Sequence, residues 1–409
     1  MLEYRVMELV VLGVVALVLL LRYPVHFALH PPFLMDFEVY WSAAHRLVTG
    51  DIAALYAPTT LGSDRMTFKY APVWALAWAP FGALPKPAAA VLWTAAGVAA
   101  LMATLAVSAR FCRSAGLRTH PLLALPAVFL IVRPLAEEMG NGQVNALWGL
   151  LVVAGAWAAS QRRRSASAAF AGAMLLKLPA AVYLPYLAAR RRHRLALAAA
   201  VIACGAAALS SALLWPARPL HLLQAWRHAV AGSAQTAFEI GNQSAAALLS
   251  RLLTGDGYGL NVAALPRALV PWLAAALLLV CWWLVAAPSR RRTEPAWFVY
   301  DCAMLSILMV LFSPSGWLAT YTVLLFPAYV AAAGLAQPAA RRDGAAWALA
   351  WLVASLTLLT HRSTWRLLGL TSWRGETYLF LVFMILPWMG LALLALLWRL
   401  RRLHGRRPA

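Results

Sequence analysis

The sequence predicts an all-α, polytopic membrane protein, and three observations support this fold class. Of 409 residues, 63% are hydrophobic and 12% are charged, whereas a soluble domain has about half apolar and about a quarter charged residues. Apolar runs recur along the whole chain, each close to the ~20 residues that cross a bilayer as a helix. Arginines stand in short clusters between these runs. The net charge of +21 therefore indicates cytoplasmic loops under the positive-inside rule, and no nucleic-acid partner is predicted.

The apolar runs place the membrane crossings. Full crossings are predicted at 6–21, 88–109, 120–132, 143–160, 195–214, 268–287, 296–312, 316–336, 345–360 and 377–398. Two further segments are less regular: 71–85 is short and bounded by prolines, and 168–188 carries Lys177 and Pro179 in its middle. Proline removes a helix hydrogen bond, so we expect two half-helices over 168–188 that enter from the cytoplasm. Depending on these two segments, about 10–12 membrane helices are predicted.

The arginine clusters predict the orientation. They lie at 110–118, 162–164, 190–194, 290–292, 341–342 and in the tail 399–409, and all are placed in the cytoplasm, as are both termini. The outward loops are then 22–70, 133–142, 215–267, 313–316 and 361–376. We expect one integral-membrane domain over 1–409 in the cell (plasma or inner) membrane, with 22–70 and 215–267 as its long external loops.

Motifs for metals, disulfides and nucleotides are missing from the sequence. The four cysteines, Cys112, Cys204, Cys281 and Cys302, lack CxxC spacing, and no HExxH pattern occurs. No Walker A sequence, glycine-rich phosphate loop or DxD pair is present. No metal and no cofactor are predicted. A soluble nucleotide-bound donor is disfavoured, whereas a donor delivered from the membrane fits.

Asp36 is the most unusual residue of the first external loop. It follows the first span and stands beside Phe37, Tyr40 and Trp41 in a chain with 35 Lys+Arg and 14 Asp+Glu. A carboxylate that is partly desolvated near a bilayer is a candidate proton acceptor. Alternatively, Asp36 caps the N-terminus of a helix that begins at Phe37.

Lys177 is the second unusual charge, because it lies deep in apolar sequence. A lysine at the centre of a span costs roughly 2.5–3.5 kcal/mol on insertion scales. Its functional role would be a contact to a lipid phosphate. The alternative is a side chain that extends towards the cytoplasmic interface, where the cluster at 190–194 begins.

Three polar stretches complete the candidate site. In 137–145, a polar turn is predicted in which Gly140 and Gly142 permit close backbone approach, and Gln143 and Asn145 bind either a sugar or a neighbouring helix. The stretch 241–244 suits a helix N-cap or a hydroxylated substrate. The stretch 313–317 suits a tight turn with Trp317 in the aromatic belt.

Taken together, these motifs resemble a known family. The segment 36–44, followed by Gly50 and Tyr56, resembles the first external loop of glycosyltransferase family 87. Similar segments follow in the family's order over roughly residues 30–330: 68–72 with Pro80 and 84–85, 142–145, Gly172 with 177–179, 242–244, and 313–314 with Trp317.

The resemblance implies a GT-C-like membrane glycosyltransferase. Such an enzyme moves a hexose, typically mannose, from a polyprenyl-phosphate carrier to a lipid or glycan acceptor on the outer face, among membrane lipids. Asp36 maps onto the family's proposed catalytic base. One carboxylate without a covalent nucleophile suits inverting displacement, and Lys69, Arg133 and Lys177 are candidates for the leaving phosphate. The full set of predicted substrate-binding residues is Glu38, Tyr40, Trp41, Lys69, Arg133, Glu138, Gln143, Asn145, Lys177, Asn242, Gln243, Ser313 and Trp317.

The chain departs from the family at one position. Members often carry histidine soon after the turn that ends at Trp317, and here 318–321 contains none. This difference weakens assignment to the subgroup that acts on phosphatidylinositol mannosides. The rival functional class is a transporter or lipid flippase, which also uses intramembrane charge and broken helices. A structural membrane subunit is a third option.

Overall fold

The computed structural model describes residues 2–30, 33–61, 64–232, 239, 241–255, 262–289, 294–367 and 384–405. Its α-helices are α1 Leu2–Leu20, α2 His26–Leu29, α3 Met35–Val48, α4 Pro72–Gly82, α5 Lys86–Ser114, α6 Ala124–Asn141, α7 Asn145–Ser160, α8 Ser165–Leu176, α9 Tyr183–Ala189, α10 His193–Leu214, α11 Pro219–Ala231, α12 Ala245–Leu253, α13 Val270–Ser289, α14 Pro295–Leu311, α15 Leu325–Leu335, α16 Pro338–Arg341, α17 Gly344–Leu359, α18 Arg362–Leu367 and α19 Ile385–His404.

Short elements of other kinds connect the helices. A π-helical turn joins α1 to α2 over Leu21–Val25, and 3₁₀ turns lie at Ile52–Ala54, Pro121–Leu123, Leu178–Val182, Arg267–Leu269 and Leu318–Leu324. One antiparallel pair of strands, β1 Thr59–Leu61 and β2 Asp64–Met66, stands between α3 and α4. Helices thus dominate the described chain, and the predicted all-α fold is confirmed.

Several helices are long and apolar enough to cross a bilayer. They span Val6–Leu29, Lys86–Ser114, His193–Leu214, Arg267–Pro288 and Leu318–Leu335, and shorter apolar helices accompany them. All fall on predicted crossings, although the first continues past residue 21 because the π-helical turn carries the chain through Pro24. The chain is therefore a polytopic membrane protein, while the exact number of crossings stays a prediction.

The two irregular segments fold as short helices. Proline at the first position of α4 is favourable because its missing N–H has no partner there in any case. In the second segment, α8 ends at Leu176, Lys177 is extended at φ −148°, and a 3₁₀ turn leads into α9. Pro179 cannot donate a helix hydrogen bond, so the predicted break is confirmed. The membrane face at which these half-helices enter stays a prediction.

The chain divides into two compact units. The N-terminal unit comprises Arg5–Thr104 and Ala136–Ala234, and the C-terminal unit comprises Met1–Tyr4, Leu105–Leu135 and Gln235–Ala409. The expectation of one integral-membrane domain over 1–409 stays a prediction.

In the N-terminal unit, glycine and aromatic contacts fix the helices that carry the site. α3 packs on α4 so closely that a Cβ on Gly82 would lie 2.4 Å from the carbonyl carbon of Ala44. α7 packs on α8, and the Trp148 indole N–H donates to the Ala173 carbonyl at 3.1 Å. These contacts fix α3 against α4 and α7 against α8.

In the C-terminal unit, α14 is the core helix. Every residue from Ala296 to Leu311 is buried, as expected for a helix that is hydrophobic all round. α13, α15 and α19 pack around it. The fully buried carboxylate of Asp301 accepts a hydrogen bond at 2.5 Å from Arg401, which is 1% exposed. A charge inside this core is thus paired directly.

Candidate active site

Asp36 lies in the first turn of α3. The helix begins at Met35, and its N-cap, Leu34, makes no side-chain capping bond. The alternative that Asp36 caps a helix beginning at Phe37 is therefore wrong. Instead, the Asp36 carboxylate accepts a 2.5 Å hydrogen bond from the Gln143 side-chain N–H₂. The position at a helix N-terminus also favours a negative charge.

The turn between α6 and α7 brings Gln143 to Asp36. Gly142 has φ +68°, a left-handed conformation that glycine adopts without strain. A Cβ at Gly142 would lie 2.6 Å from the Cβ of Phe37, so no larger residue fits against α3. The Trp93 indole N–H holds the turn by donating to the Gly142 carbonyl at 2.8 Å. The predicted close approach is thus confirmed for Gly142, whereas Gly140 faces open space.

The polar turn predicted from residue 137 starts later than expected. α6 continues to Asn141, so Glu137 and Glu138 are helical, and the left-handed Gly142 ends the helix as C-terminal glycines commonly do. Glu138 is 1% exposed, and its carboxylate accepts 2.7 Å hydrogen bonds from the Ala146 backbone N–H and the Asn145 side chain. Glu138 thereby satisfies an amide at the start of α7.

A chain of amide hydrogen bonds extends from the Asp36 partner to a lysine. The Gln143 side-chain oxygen, Oε1, accepts from the Asn145 side chain at 3.4 Å and from the Tyr40 hydroxyl at 3.5 Å. The Asn145 side-chain oxygen, Oδ1, accepts a 2.6 Å hydrogen bond from the Lys177 ammonium. Each amide therefore donates on its nitrogen side and accepts on its oxygen side, which gives one consistent orientation of the network.

Lys177 points into this network. Its ammonium lies 5.5 Å from the centre of the Trp148 ring and interacts electrostatically with both Asp36 and Glu138. This arrangement contradicts the alternative in which the side chain only extends to the cytoplasmic interface. Lys69 also lies within electrostatic range of Asp36, and its backbone carbonyl accepts a hydrogen bond at 3.2 Å from the Trp226 indole.

The environment raises the proton affinity of Asp36. Burial is the largest effect and raises the pKa of this carboxyl to about 6, against the lowering effects of the Lys177 charge, the Gln143 hydrogen bond and the Lys69 charge. Asp36 as a residue is only partly buried and keeps some exposed surface. A base is most effective when its pKa lies near the working pH, so this carboxylate can accept a proton from a bound hydroxyl.

A cluster of aromatic side chains packs around Tyr40, next to Gln143. The Tyr40 hydroxyl lies 3.0 Å from the Tyr70 hydroxyl, and the Tyr40 ring packs against Trp78 at 5.2 Å and Trp93 at 5.4 Å. Tyr40 itself is 3% exposed, and its predicted contact with substrate stays a prediction. Sequence reasoning missed Tyr70 and Trp93 as parts of the site, although Tyr70 lies inside the family-like segment 68–72.

Two predicted substrate ligands on α3 make contacts away from Asp36. Glu38 forms an ion pair with Lys86 at 2.8 Å, and the Lys86 ammonium lies 4.9 Å from the Trp41 ring centre. Trp41 also stacks on His45 at 4.6 Å. Residues 38, 41 and 45 share one helix face by their spacing. Their role in substrate binding stays a prediction.

The remaining predicted residues lie in the C-terminal unit. Arg133 interacts electrostatically with His361. The Asn242 side chain donates to the Pro314 carbonyl at 2.7 Å, and the Gln243 backbone N–H donates to the Gly316 carbonyl at 2.7 Å. The stretches 241–244 and 313–317 therefore pack against each other.

This packing explains several residues of the two stretches. The Ser244 hydroxyl accepts from the Ala247 N–H at 3.2 Å, which confirms the predicted N-cap of α12. The Trp317 ring covers Gly241, where a Cβ would meet the ring at 2.7 Å. Ser313 is 4% exposed. Substrate contacts of Asn242, Gln243, Ser313 and Trp317 stay predictions. In the described part of the chain, no group of three His, Cys, Asp or Glu side chains is placed to hold a metal ion.

Comparisons with known proteins agree with these features. The model of glycosyltransferase family 87 matches residues 68–314, which is more than half of the chain. A protein of Mycolicibacterium smegmatis described as a polyprenol-phosphate-mannose-dependent alpha-(1-2)-phosphatidylinositol mannoside mannosyltransferase is 27% identical over 398 residues, covering 88% of this chain and 84% of that protein. No solved structure matches the chain. The matched range includes Lys69, Gln143 and Lys177 and begins after Asp36. This polytopic membrane protein is a glycosyltransferase, and it belongs to glycosyltransferase family 87.

Proposed function

We propose that the enzyme transfers mannose from a polyprenyl-phosphate carrier to a hydroxyl of a lipid or glycan acceptor, with inversion and with Asp36 as the general base. The observation that carries the proposal is the Asp36 carboxylate, held at 2.5 Å by Gln143 and partly accessible, with Lys177 and Lys69 in electrostatic range. A base and cations at one place are what transfer from a sugar phosphate to a hydroxyl requires.

The sugar and the carrier come from the relatives. The M. smegmatis protein is described as dependent on polyprenol-phosphate mannose, and the family resemblance of this chain includes segments 142–145 and 177–179 around the lysine. The sequence contains no nucleotide-phosphate loop or DxD pair, which fits a donor delivered by the membrane. Family membership favours a transferase over the rival transporter or flippase.

The proposed reaction is a single displacement. The acceptor oxygen attacks the anomeric carbon while its proton passes to Asp36, and the bond between the anomeric carbon and the phosphate oxygen breaks. The electron pair of that bond leaves with the polyprenyl phosphate. Because the leaving group is a stable anion, no strong general acid is required, and cations need only offset its charge.

Lys177 and Lys69 are the proposed partners of the donor phosphate. The Lys177 ammonium donates to the Asn145 side-chain oxygen at 2.6 Å. An ammonium carries three N–H donors, so its other N–H groups can bind a phosphate oxygen. Arg133 was predicted as a third partner, and its role stays open because it belongs to the other unit. No histidine stands in 318–321. Within the described N-terminal unit, Lys177 and Lys69 are the cations whose charges act on Asp36.

The proposed membrane face is the outer one. The arginine clusters between apolar runs predict cytoplasmic loops, and segment 22–70, which carries Asp36, then faces outward. The acceptor hydroxyl would approach from that side, and the polyprenyl chain of the donor would remain in the bilayer.

The decisive test is a transfer assay on membranes that contain the chain. The membranes are incubated with polyprenyl-phosphate mannose labelled in the sugar, and in parallel with glucose or galactose on the same carrier. We expect a labelled lipid or glycan product with mannose and none with Asp36→Asn, while the matched exposed variant Asp51→Asn retains transfer. If only a different sugar gave product, the assignment of mannose would be wrong and the rest of the proposal would stand. Product from Asp36→Asn at the wild-type rate would overturn the assignment of the base.

A further inference from the structure

Asp36 and Lys177 are linked through side chains without a direct ion pair. Gln143 binds the carboxylate, Asn145 binds the ammonium, and the two amides bind each other at 3.4 Å. Their described contacts include no direct hydrogen bond or salt bridge between the two charges. The charges nevertheless interact, since Lys177 lowers the proton affinity of Asp36.

The same ammonium also serves a second carboxylate. Glu138 interacts electrostatically with Lys177 and is connected to it by Asn145, which donates to Glu138 at 2.7 Å and accepts from Lys177 at 2.6 Å. One lysine is therefore shared by two carboxylates in the enzyme without substrate. Any anion that binds at Lys177 changes the electrostatic balance of both.

The proton affinities of Glu138 and Asp36 do not depend equally on the nearby charges. Glu138 is 1% exposed, and burial raises the pKa of its carboxyl. Two short hydrogen bonds from N–H donors oppose this rise more strongly than the Lys177 charge does. Asp36 receives one amide hydrogen bond and is partly accessible. Since Asp36 has fewer fixed donors, its proton affinity depends more on the surrounding charges.

We propose that the donor's phosphate, by binding at Lys177, withdraws this ammonium from Asp36 and so makes Asp36 a stronger base only when the donor is in place. The inference rests on the proposed function and extends it to the order of events. The phosphate adds a negative charge near Asp36 and engages the cation that stabilised the carboxylate, and both effects raise proton affinity. The base is then most reactive in the donor complex, and the acceptor hydroxyl is deprotonated after donor binding.

Several charged and titratable groups of the N-terminal unit interact electrostatically with Asp36. The groups that act on it are Lys177 and Lys69 as cations, the Glu138 carboxyl, Gln143 as a hydrogen-bond donor, and the hydroxyls of Tyr40 and Tyr70. Lys69 stays near Asp36 after Lys177 is engaged, so the expected change is partial. The loss of one nearby opposite charge should raise the pKa of Asp36 by about one.

The first test compares two pH profiles of the wild-type enzyme. The acid limb of kcat/KM for the donor reports the free enzyme, and the acid limb of kcat reports the complex. We expect the limb of kcat to lie about one pH unit higher. Coincident limbs in an enzyme that transfers the sugar would overturn the coupling and leave the proposed function intact.

The second test measures proton uptake without turnover. The probe is a polyprenyl C-mannosyl phosphonate ester, which carries one negative charge and cannot transfer its sugar. It is added to the full chain in nanodiscs in weak buffer near the pKa of Asp36, and an indicator dye reports the protons. We expect uptake by the wild-type protein and by the matched variant Glu137→Gln, and its loss in Asp36→Asn.

The outcomes of the second test separate the two proposals. Binding of the probe without uptake, or equal uptake in Asp36→Asn, overturns the coupling while donor binding stands. Failure of the wild-type protein both to bind the probe and to transfer mannose overturns the proposed function and, with it, the coupling. Uptake that is also lost in Lys177→Met, although the probe still binds at raised concentration, supports Lys177 as the link.

Discussion

Asp36 and Asp301 are both aspartates on helices of a largely apolar chain, but their partners differ in kind. Asp301 lies on the core helix α14, is fully buried, and is bonded at 2.5 Å to the Arg401 guanidinium. That guanidinium also donates to the Val285 carbonyl at 2.9 Å and lies 4.9 Å from the Trp297 ring centre. Asp36 is only partly buried and is held by the neutral amide of Gln143.

We expect this difference between a carboxylate that stabilises the fold and one that takes part in a reaction. A buried charge needs a direct counter-ion and further hydrogen bonds, because desolvation costs several kcal/mol for each ion. Asp301 has a direct counter-ion in Arg401, and Arg401 in turn donates a further hydrogen bond to the Val285 carbonyl. Among the described contacts of Asp36, the hydrogen bond comes from Gln143, and Lys177 and Lys69 act on it through their charges. The carboxylate therefore retains an affinity for protons that a general base requires.

The largest expected effect is on catalysis, from Asp36→Asn. Removal of general-base assistance typically lowers a rate by about 10²–10⁴-fold, and we expect a loss of this size in mannose transfer. Stability should not fall. Because the pKa of Asp36 is raised to about 6 in the folded protein, the ionised carboxylate destabilises the fold as pH rises from the unfolded pKa through this value.

The measurement pairs a transfer assay with thermal unfolding. Near neutral pH, Asp36→Asn should melt at the wild-type temperature or above it, whereas its transfer rate falls. A variant that loses transfer together with a large fall in Tm would indicate that Asp36 stabilises the fold instead of reacting.

The opposite pattern is expected for Asp301→Asn. This change leaves Arg401 buried without its counter-ion, and breaking one partner of a buried ion pair costs about 3–5 kcal/mol. We expect a lower Tm and a lower yield of folded protein, with normal transfer from the fraction that folds. The double variant Asp301→Leu with Arg401→Met should recover much of the stability, since apolar replacements of buried pairs are often tolerated. No recovery in the double variant would contradict the assignment of the loss to an unpaired charge.

The sequence predicted well the parts of this molecule that depend on composition and local backbone rules. The apolar runs predicted the long helices, because a bilayer requires about 20 apolar residues. Pro179 predicted the break after α8, because proline cannot donate in a helix. Glycine at 142 and Ser244 as an N-cap follow from similarly local preferences.

The contacts that build the site were out of reach of such rules. Asp36 and Gln143 are 107 positions apart in sequence, and only the packing of α3 on the turn before α7 brings them together. The start of α3 was missed because a hydrophobic residue, Leu34, takes the N-cap position that polar residues usually fill. The pairing of Glu38 with Lys86 also depends on tertiary structure, since the two belong to different helices.

A smaller effect is expected for donor binding from Lys177→Met. A hydrogen bond to a charged group contributes about 1.5–3 kcal/mol, so the donor KM should rise by roughly 10- to 150-fold at that magnitude. The change also leaves Glu138 without a cation. The double variant Lys177→Met with Glu138→Gln keeps the charge balanced and should show the same rise in KM. An unchanged donor KM in both variants would place the phosphate elsewhere.

The pH dependence of the wild-type enzyme sharpens the comparison further. With the pKa of Asp36 at about 6, kcat/KM should fall about tenfold for each pH unit below that value, because only the ionised carboxylate accepts a proton. The measurement is a donor-limited transfer assay over acidic to neutral pH, with unfolding followed in parallel. An acid limb that coincides with loss of folded protein would argue against Asp36 as its origin.

The smallest effect is expected from Lys86→Met, which breaks a third kind of charge pair. The Lys86 side chain is 43% exposed, and its partner Glu38 is 13% exposed. Exposed ion pairs contribute about 0–1 kcal/mol, and the cation–π contact with Trp41 adds about 0.5–1 kcal/mol at an exposed site. We therefore expect a fall in stability of about 1 kcal/mol or less and transfer close to the wild-type rate. A large loss of transfer with little change in Tm would instead support the prediction that Glu38 and Trp41 bind substrate, because Lys86 is what orients them. The pair would then resemble Asp36 and Lys177 in the role we propose for them, in which a charge is held in place for a ligand, and differ from Asp301 and Arg401, where it is held for the fold.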